Sequence, residues 1–271
     1  MKGLDARLRA RWDAIIESEG RTLGLSDCRP FLENKMVNDI FYEGKFKGHD
    51  CIVKCSSKAP DSIANEYEIN SRLYSINSQV FPQPYAYYST IDGKMAFVVT
   101  ERIKSPPGRA GASFVNDVLE MADALKKTGI VHRDIFLDNI ILGEDGHWRL
   151  IDFQFAVDRN SFSECVWMRR RWKYRYVVFG VNRNLPRGVW NDFLALAELL
   201  EARSDDFVAL EAAKKLRNES EEMFAIDRPD ALTALRLKFY RYSLRIQRMM
   251  HRSNPEKFRR ITHRLKVLET L

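Results

Sequence analysis

The sequence predicts an α+β chain in two parts: a small strand-rich region running to residue 103 and a mainly helical region over residues 104–271. Three observations carry that division. Residues 51–54 (Cys-Ile-Val-Lys) and 97–103 (Phe-Val-Val-Thr-Glu-Arg-Ile) have the length and β-branched, aromatic composition of strands. Residues 65–76 and 235–249 instead place apolar side chains at helical spacing. With 271 residues and 45% hydrophobic content, the chain can bury a sizeable core as one bilobal unit or two small domains.

Taken in order, residues 31–42 hold two strand-like runs with no G-x-G-x-x-G between them. On the next strand, Ile52 and Lys54 share one face, while Cys51 and Cys55 alternate inward as small hydrophobes. Asn65-Glu66-Tyr67-Glu68-Ile69 opens a helix whose Ile69, Leu73 and Ile76 recur at i, i+4 and i+7. The run 97–103 reads as a buried strand ending in polar residues, and Ser-Pro-Pro-Gly-Arg-Ala-Gly at 105–111 is the clearest linker. Ile140-Ile141-Leu142, the turn 143–146 and Trp148-Arg149-Leu150-Ile151 form a hairpin pattern. Such a hairpin would bring Asn139 and Asp152 to the same end.

Just before that hairpin lies Ile130-Val131-His132-Arg133-Asp134, with Asn139 five residues after the aspartate. Asp134 could orient an acceptor hydroxyl and take its proton, while Asn139 and Asp152 offer hard oxygen ligands to Mg²⁺. Phosphoryl transfer needs that division of labour, because positioning and charge neutralisation do most of its work. The same residues also fit turn caps and a strand end, but that reading gives no reason for the three spacings to occur together.

His132-Arg133-Asp134 with Asn139, and Asp152-Phe153-Gln154 in place of D-F-G, resemble the catalytic and metal loops of the protein-kinase-like superfamily. The resemblance implies a bilobal fold with an antiparallel-sheet N-lobe and a helical C-lobe, ATP and Mg²⁺ as cofactors, Asp134 as the catalytic acid/base, and Asn139 and Asp152 as metal ligands. Cys51-Ile52-Val53-Lys54 resembles the V-A-I-K strand, so Lys54 is implied as the phosphate-binding lysine and Ile52 as an adenine cover bulkier than the usual alanine. Glu66 is implied as the ion-pair partner of Lys54 from the local match N-E-x-x-I, with Glu68 as its rival; both also read as solvated helix charges. Thr100 is implied at the back of the adenine pocket, the backbone of Glu101 to Ile103 beside the base, and Ile141 in the same pocket. Asp192 resembles the acid that fixes the catalytic-loop backbone, and equally an ordinary first-turn helix acid.

The chain also departs from the pattern. Gln154 lacks the backbone freedom of glycine, so flipping of the metal loop is not expected. Without a glycine-rich loop the phosphate cover falls to Lys35 or the Asn34 and Asn38 amides. No A-P-E follows Asp152, and Arg169-Arg170-Arg171-Trp172-Lys173-Tyr174-Arg175-Tyr176 stands where a peptide-docking loop is expected. Together with the compact length and a basic C-terminal helix, these departures look most like the bacterial lipopolysaccharide-core sugar kinases, which include heptose and Kdo kinases. That resemblance implies a sugar on an anionic glycolipid as acceptor. A serine/threonine protein kinase, another small-molecule phosphotransferase and a nucleotide-binding scaffold stay open as alternatives.

Charge is distributed unevenly. From Arg236 to Leu271 there are eleven Lys/Arg against Glu256 and Glu269, a local +9 that exceeds the chain's +7 and leaves the remainder at −2. Leu235, Phe239, Tyr242, Ile246 and Met249 form an apolar helical stripe, with Lys238, Arg241, Arg245, Arg248 and Arg252 beside it. Two readings follow: a C-lobe helix packed by its apolar stripe with a solvated basic face, or a helix that meets anionic lipid headgroups or phosphorylated glycolipid. No recognised nucleic-acid module accompanies the cations, so nucleic acid is not an expected partner. Cys28, Cys51, Cys55 and Cys165 lack C-x-x-C spacing and read as reduced thiols. No apolar run approaches the roughly 18 residues of a membrane span, and Met1 to Arg7 carries no apolar signal core. A cytoplasmic location is expected, with peripheral contact at the membrane face as the alternative.

Overall fold

A computed structural model describes residues 6–34, 39–106, 113–159, 189–203, 207–220, 225–226, 231–255, 257–259, 261–262 and 265. It is α+β. Helix α1 (Ala6–Ile15) and the single turn α2 (Arg21–Leu23) precede strands β1 (Leu25–Asn34), β2 (Asp39–Phe46) and β3 (His49–Ser56). Helix α3 (Pro60–Ile76) then leads to β4 (Pro84–Ser89) and β5 (Ala96–Glu101). The five strands make one antiparallel sheet in the order β1-β2-β3-β5-β4. Lys47 and Gly48, both at positive φ (49° and 90°), make the two-residue turn between β2 and β3. That backbone twist matches the strands it joins.

The sheet sorts its side chains by alternation. Cys51, Val53 and Cys55 of β3 point away from the cleft into a core with Tyr42, Phe97 and Val99, closed by Trp12 and Ile16 from the N-terminal helical segment. The Tyr42 hydroxyl donates to Asp13 at 2.7 Å, tying that segment to the sheet. Ile52 and Lys54 take the opposite face, as their spacing requires.

Beyond the sheet the described residues are mostly helical, with short strands. Helix α4 (Phe114–Thr128) ends at Gly129, whose φ of 70° stops the helix in the left-handed region. Strands β6 (Ile130–Val131), β7 (Ile140–Leu142), β8 (Trp148–Leu150) and β9 (Val157–Asp158) follow, with β7 pairing β8 and β6 pairing β9, both antiparallel. After β10 (Val189–Trp190) come α5 (Asp192–Arg203) and α6 (Phe207–Glu219), then β11 (Ala225–Ile226) and α7 (Ala231–Met250). Their core joins Met121 and Leu125 of α4, Leu150 of β8, Phe193 and Leu200 of α5, and Leu216 of α6. Ile69 and Leu73 of α3 belong to the same cluster, so that helix bridges the two halves.

Three details differ from the sequence expectation. Helix α3 begins at Pro60 rather than Asn65, because proline's fixed φ suits the first helical position. Its inward face is Ile63, Glu66, Ile69, Asn70 and Leu73, and Ile76 at the C-terminal end is exposed. Helix α7 packs through Leu244 and Tyr240, while the stripe from Leu235 to Met249 faces solvent, so the reading in which that stripe packs inward is overturned. The side chain of Asn34, all of residues 35–38, most of the linker at 105–111, Cys165 and the basic run 169–176 lie outside the described residues.

Candidate active site

A cleft of about 660 Å³ lies between the sheet and the β7–β8 hairpin, lined by Phe41, Ile52, Lys54, Glu66, Val98, Thr100, Ile103, Asn139, Ile141, Ile151 and Asp152 among others. Lys54 is its pivot. Its Nζ donates to Glu66 Oε2 and to Asp152 Oδ1, both at 2.7 Å, and its side chain is buried. Burial alone would depress the ammonium, but the charges of Asp152, Glu66 and Asp39 outweigh it and hold Lys54 above the usual lysine range. Glu66 is pushed up to about 7 because burial disfavours its carboxylate, partly offset by Lys54. Glu68, two residues on and on the opposite side of the helix, is exposed, so burial decides between the two glutamates.

The His-Arg-Asp segment is held from two sides. Asp192, at the start of α5, accepts the backbone N–H of His132 at 2.6 Å and of Arg133 at 3.2 Å. Those bonds fix Arg133 at a φ of 70°, a backbone region that non-glycine residues rarely occupy. Arg133 in turn sets its guanidinium 4.5 Å from the ring centre of Trp190. The His132 ring is buried with Nε2 at 2.9 Å from the Ile151 carbonyl, and its Nδ1 accepts the Asp134 N–H at 3.3 Å. A carbonyl only accepts, so the proton sits on Nε2. Burial lowers this histidine to about 4, keeping the ring neutral.

Asp134 projects beside Asn139, whose Nδ2 donates to the Asp134 carbonyl at 2.8 Å and to its Oδ2 at 3.3 Å. The other oxygen, Oδ1, is buried without a hydrogen-bond partner. Burial, reinforced by the charge of Asp152, raises this carboxyl to about 8. Asn139 ends a short 3₁₀ turn (Leu137–Asn139), and its carbonyl accepts the Ile151 N–H at 3.0 Å, which sets Asn139 opposite Asp152 as the hairpin pattern predicts. Asp152 itself has φ 67°, whereas Gln154 lies in the 3₁₀ turn Phe153–Phe155 with no positive φ. The unusual backbone that glycine would serve is thus carried one step earlier, by the aspartate.

Among the described residues no group of three or more His, Cys, Asp or Glu is arranged to hold a metal alone. Mg²⁺ does not need one, since it commonly takes one or two protein oxygens and completes its shell with phosphates and water. Asp152 and the Asn139 amide are hard oxygen donors of that kind. Four carboxyl groups, Asp39, Glu66, Asp134 and Asp152, stand around Lys54, an excess of acid that a divalent cation would help to neutralise. The donor set therefore fits Mg²⁺.

The residues expected around adenine gather as follows. Ile52, Thr100, Glu101, Ile103 and Ile141 all line the cleft. The backbone from Glu101 to Ile103 is less open than expected: the Glu101 N–H donates to the Gln83 carbonyl at 2.8 Å and the Arg102 N–H to the Asp50 carbonyl at 3.1 Å. Sequence reading missed Ile151, Phe41, Asn65 and Asp39. Phe41 pairs directly with Lys54 across β2 and β3, its ring centre 6.0 Å from Nζ, and the period-two pattern of residues 39–46 held that signal. Asn65 donates through Nδ2 to the carbonyls of Ala156 at 2.9 Å and Phe153 at 3.4 Å, a strap from α3 to the segment after Asp152 that no spacing rule announces.

No protein-family model matches the sequence. Among characterised proteins, the chain is similar to the serine/threonine-protein kinase pak-2 of Caenorhabditis elegans, 29% identical over 141 residues covering 49% of this chain and 26% of that protein. It is likewise similar to two serine/threonine-protein kinases of Arabidopsis thaliana, AGC1-5 and RHS3, each 28% identical over 54% of this chain and covering 29% and 34% of theirs. The chain therefore spans about a quarter to a third of the length of these relatives. Joined to the antiparallel sheet, the helical second half and the cleft between them, this distant homology supports a protein-kinase-like superfamily for the chain.

Proposed function

We propose that this chain is an ATP- and Mg²⁺-dependent kinase that transfers the γ-phosphate to a hydroxyl group, and that its acceptor is a sugar of lipopolysaccharide core or a related anionic glycolipid. The observation that carries the kinase reading is the chain of contacts Glu66–Lys54–Asp152, each 2.7 Å, in one cleft with Asn139, to which Asp134 is hydrogen-bonded at 3.3 Å. Lys54 would meet the phosphates of ATP, aimed by Glu66. Asp152 and Asn139 would hold Mg²⁺, which supplies neutralisation of the phosphate charge when bound. In its ionised form, which a cation held at the neighbouring Asp152 would favour by cancelling that carboxylate's charge, Asp134 would accept the hydrogen bond of the incoming hydroxyl and then its proton. Ile52, Val98, Ile141 and Ile151 supply an apolar slot for the base.

The glycolipid acceptor is supported by the basic, outward-facing helix α7 and by the absence of A-P-E in the sequence. A serine/threonine protein kinase is the second reading, favoured by the relatives, all three of which carry that description. Label from γ-phosphate-labelled ATP, followed in a lysate that contains the natural acceptor, separates the two. Label in a lipid-extractable or saccharide fraction supports the glycolipid, and label on polypeptide selects the protein kinase. Absence of any Mg·ATP turnover would overturn both and leave a nucleotide-binding scaffold.

A further inference from the structure

Helix α7 meets the rest of the protein with one face. Leu244 is 1% exposed in the cluster that holds Ile261 and Leu265, and Tyr240 packs at its margin. At 100° per residue, Leu235, Phe239, Tyr242, Ile246 and Met249 fall roughly opposite Leu244. They are exposed by 50%, 67%, 64%, 37% and 58%, and Met250 continues the row at 72%. An amphipathic helix ordinarily turns its apolar stripe inward. Here six large apolar side chains stand in a row on the outside, a patch of the kind that marks an interaction surface.

The flank of that row has one sign. Lys238, Arg241, Arg245, Arg248 and Arg252 run along it, and no Asp or Glu occurs between Ala231 and Pro255. Lys238 and Arg252 are exposed and Arg248 is half-buried. Phe, Tyr and Met beside a cationic strip suit the boundary between lipid headgroups and acyl chains. Among the described residues no helix is long and apolar enough to cross a membrane, so the geometry is that of a helix lying on a surface rather than spanning it.

We infer that the outer face of α7 is a peripheral docking surface for an anionic lipid membrane, with the row from Leu235 to Met250 entering the headgroup–acyl boundary and the basic flank against anionic headgroups. Charge decides against a second copy of the chain as the occupant. Two-fold pairing through the apolar row would bring two cationic flanks side by side, whereas an anionic bilayer complements both features at once. The inference does not depend on which acceptor the cleft takes, and its test needs no turnover.

The test uses the full chain and sedimentation with two kinds of vesicle, pure phosphatidylcholine and phosphatidylcholine with roughly 30% phosphatidylglycerol, a charge density that gives an anionic surface potential. The expected result is binding to the anionic vesicles alone, weakened when salt is raised from about 0.1 M to about 0.5 M. Replacing Phe239 and Met249 together by Ser should lower partitioning at least about tenfold, since two large apolar groups no longer leave water. Replacing Lys238, Arg248 and Arg252 by Gln should lower it by about fivefold per residue. Phe239 and Met249 are exposed, so the double variant should keep the wild-type melting temperature. Equal or absent binding to both vesicle types, or wild-type partitioning by both variants, overturns the proposal. A dimer in ultracentrifugation that the Phe239→Ser/Met249→Ser variant dissolves, without vesicle binding, would assign the face to a second copy instead.

Discussion

Asp134 Oδ1 is buried and has no hydrogen-bond partner, an arrangement that costs stability unless something else completes it. An acceptor hydroxyl would complete it. Asp134→Asn keeps the shape and removes the proton acceptor, so turnover should fall by about 10²- to 10⁴-fold while Mg·ATP binding stays near wild type. Asp152→Asn should weaken metal-dependent nucleotide binding as well, because Asp152 contacts Lys54 directly and is the proposed metal ligand. Near-wild-type turnover by Asp134→Asn, measured at saturating Mg·ATP, would remove the role assigned to it. His132 makes a different prediction. Its pKa is lowered by burial from 6.5 to about 4, so the stability this neutral ring contributes is complete above pH 6.5 and is lost as pH falls through that window. Against a His132→Gln variant, the wild-type advantage in urea unfolding should shrink by about 3 kcal/mol between those two pH values. An advantage constant across the window would mean the ring is already protonated when folded. At this scale much of the site was legible, because the proposed chemistry fixes residue types and spacing: Lys54, Asn139 and Asp152 line one cleft, and Asp134 is hydrogen-bonded to Asn139. Asp39 was not, since a lone aspartate at a strand start carries no pattern, and only its burial beside Lys54 singles it out.

Helix α3 is the element on which the cleft depends. It carries Glu66 to Lys54, Asn65 to the carbonyls of Phe153 and Ala156, and Ile69 with Leu73 into the second core. If Glu66 acts only by aiming Lys54, removing either residue removes the same function. Lys54→Met, Glu66→Gln and the double variant should then lose similar activity, the double losing little more than either single. Additive losses in kcat/KM would show independent roles. The element-level misreadings have physical causes. Helix α3 starts five residues before the expected opening at Asn65, because Ala59 gives no N-cap side chain and only Pro60 marks the entry. Helix α1 was not anticipated, since Trp12 and Ile16 pack onto a sheet distant in sequence and periodicity does not reveal a partner. On α7 two apolar strips lie on opposite sides, and spacing cannot tell which of them a core will use; Leu244 won over the row from Leu235 to Met249.

Across the whole molecule, the two halves are joined at the cleft as well as along the chain. Lys54 of β3 holds Asp152, Asn65 of α3 holds the segment after it, and the Leu150 N–H donates to the Val80 carbonyl at 3.0 Å. Phe153 packs against Phe81 and His132, with ring centres 6.0 Å and 5.0 Å apart, so the residue after the proposed metal ligand sits in the core shared by both sides. A ligand that bridges Lys54 and Asp152 should therefore stabilise the protein as one unit. At a Mg·ATP concentration about 100 times its Kd the added stability is about 2.7 kcal/mol. For a chain of this length that corresponds to a rise in Tm of roughly 5–10 °C. The expected thermogram is a single transition that moves up as a whole with Mg·ATP, moves little with ATP and a chelator, and moves little for Asp152→Asn. Two transitions, with only the first responding to nucleotide, would show that the sheet and the helical half unfold separately. In that case the contacts through Lys54, Asn65 and Phe153 position the cleft without coupling the two cores.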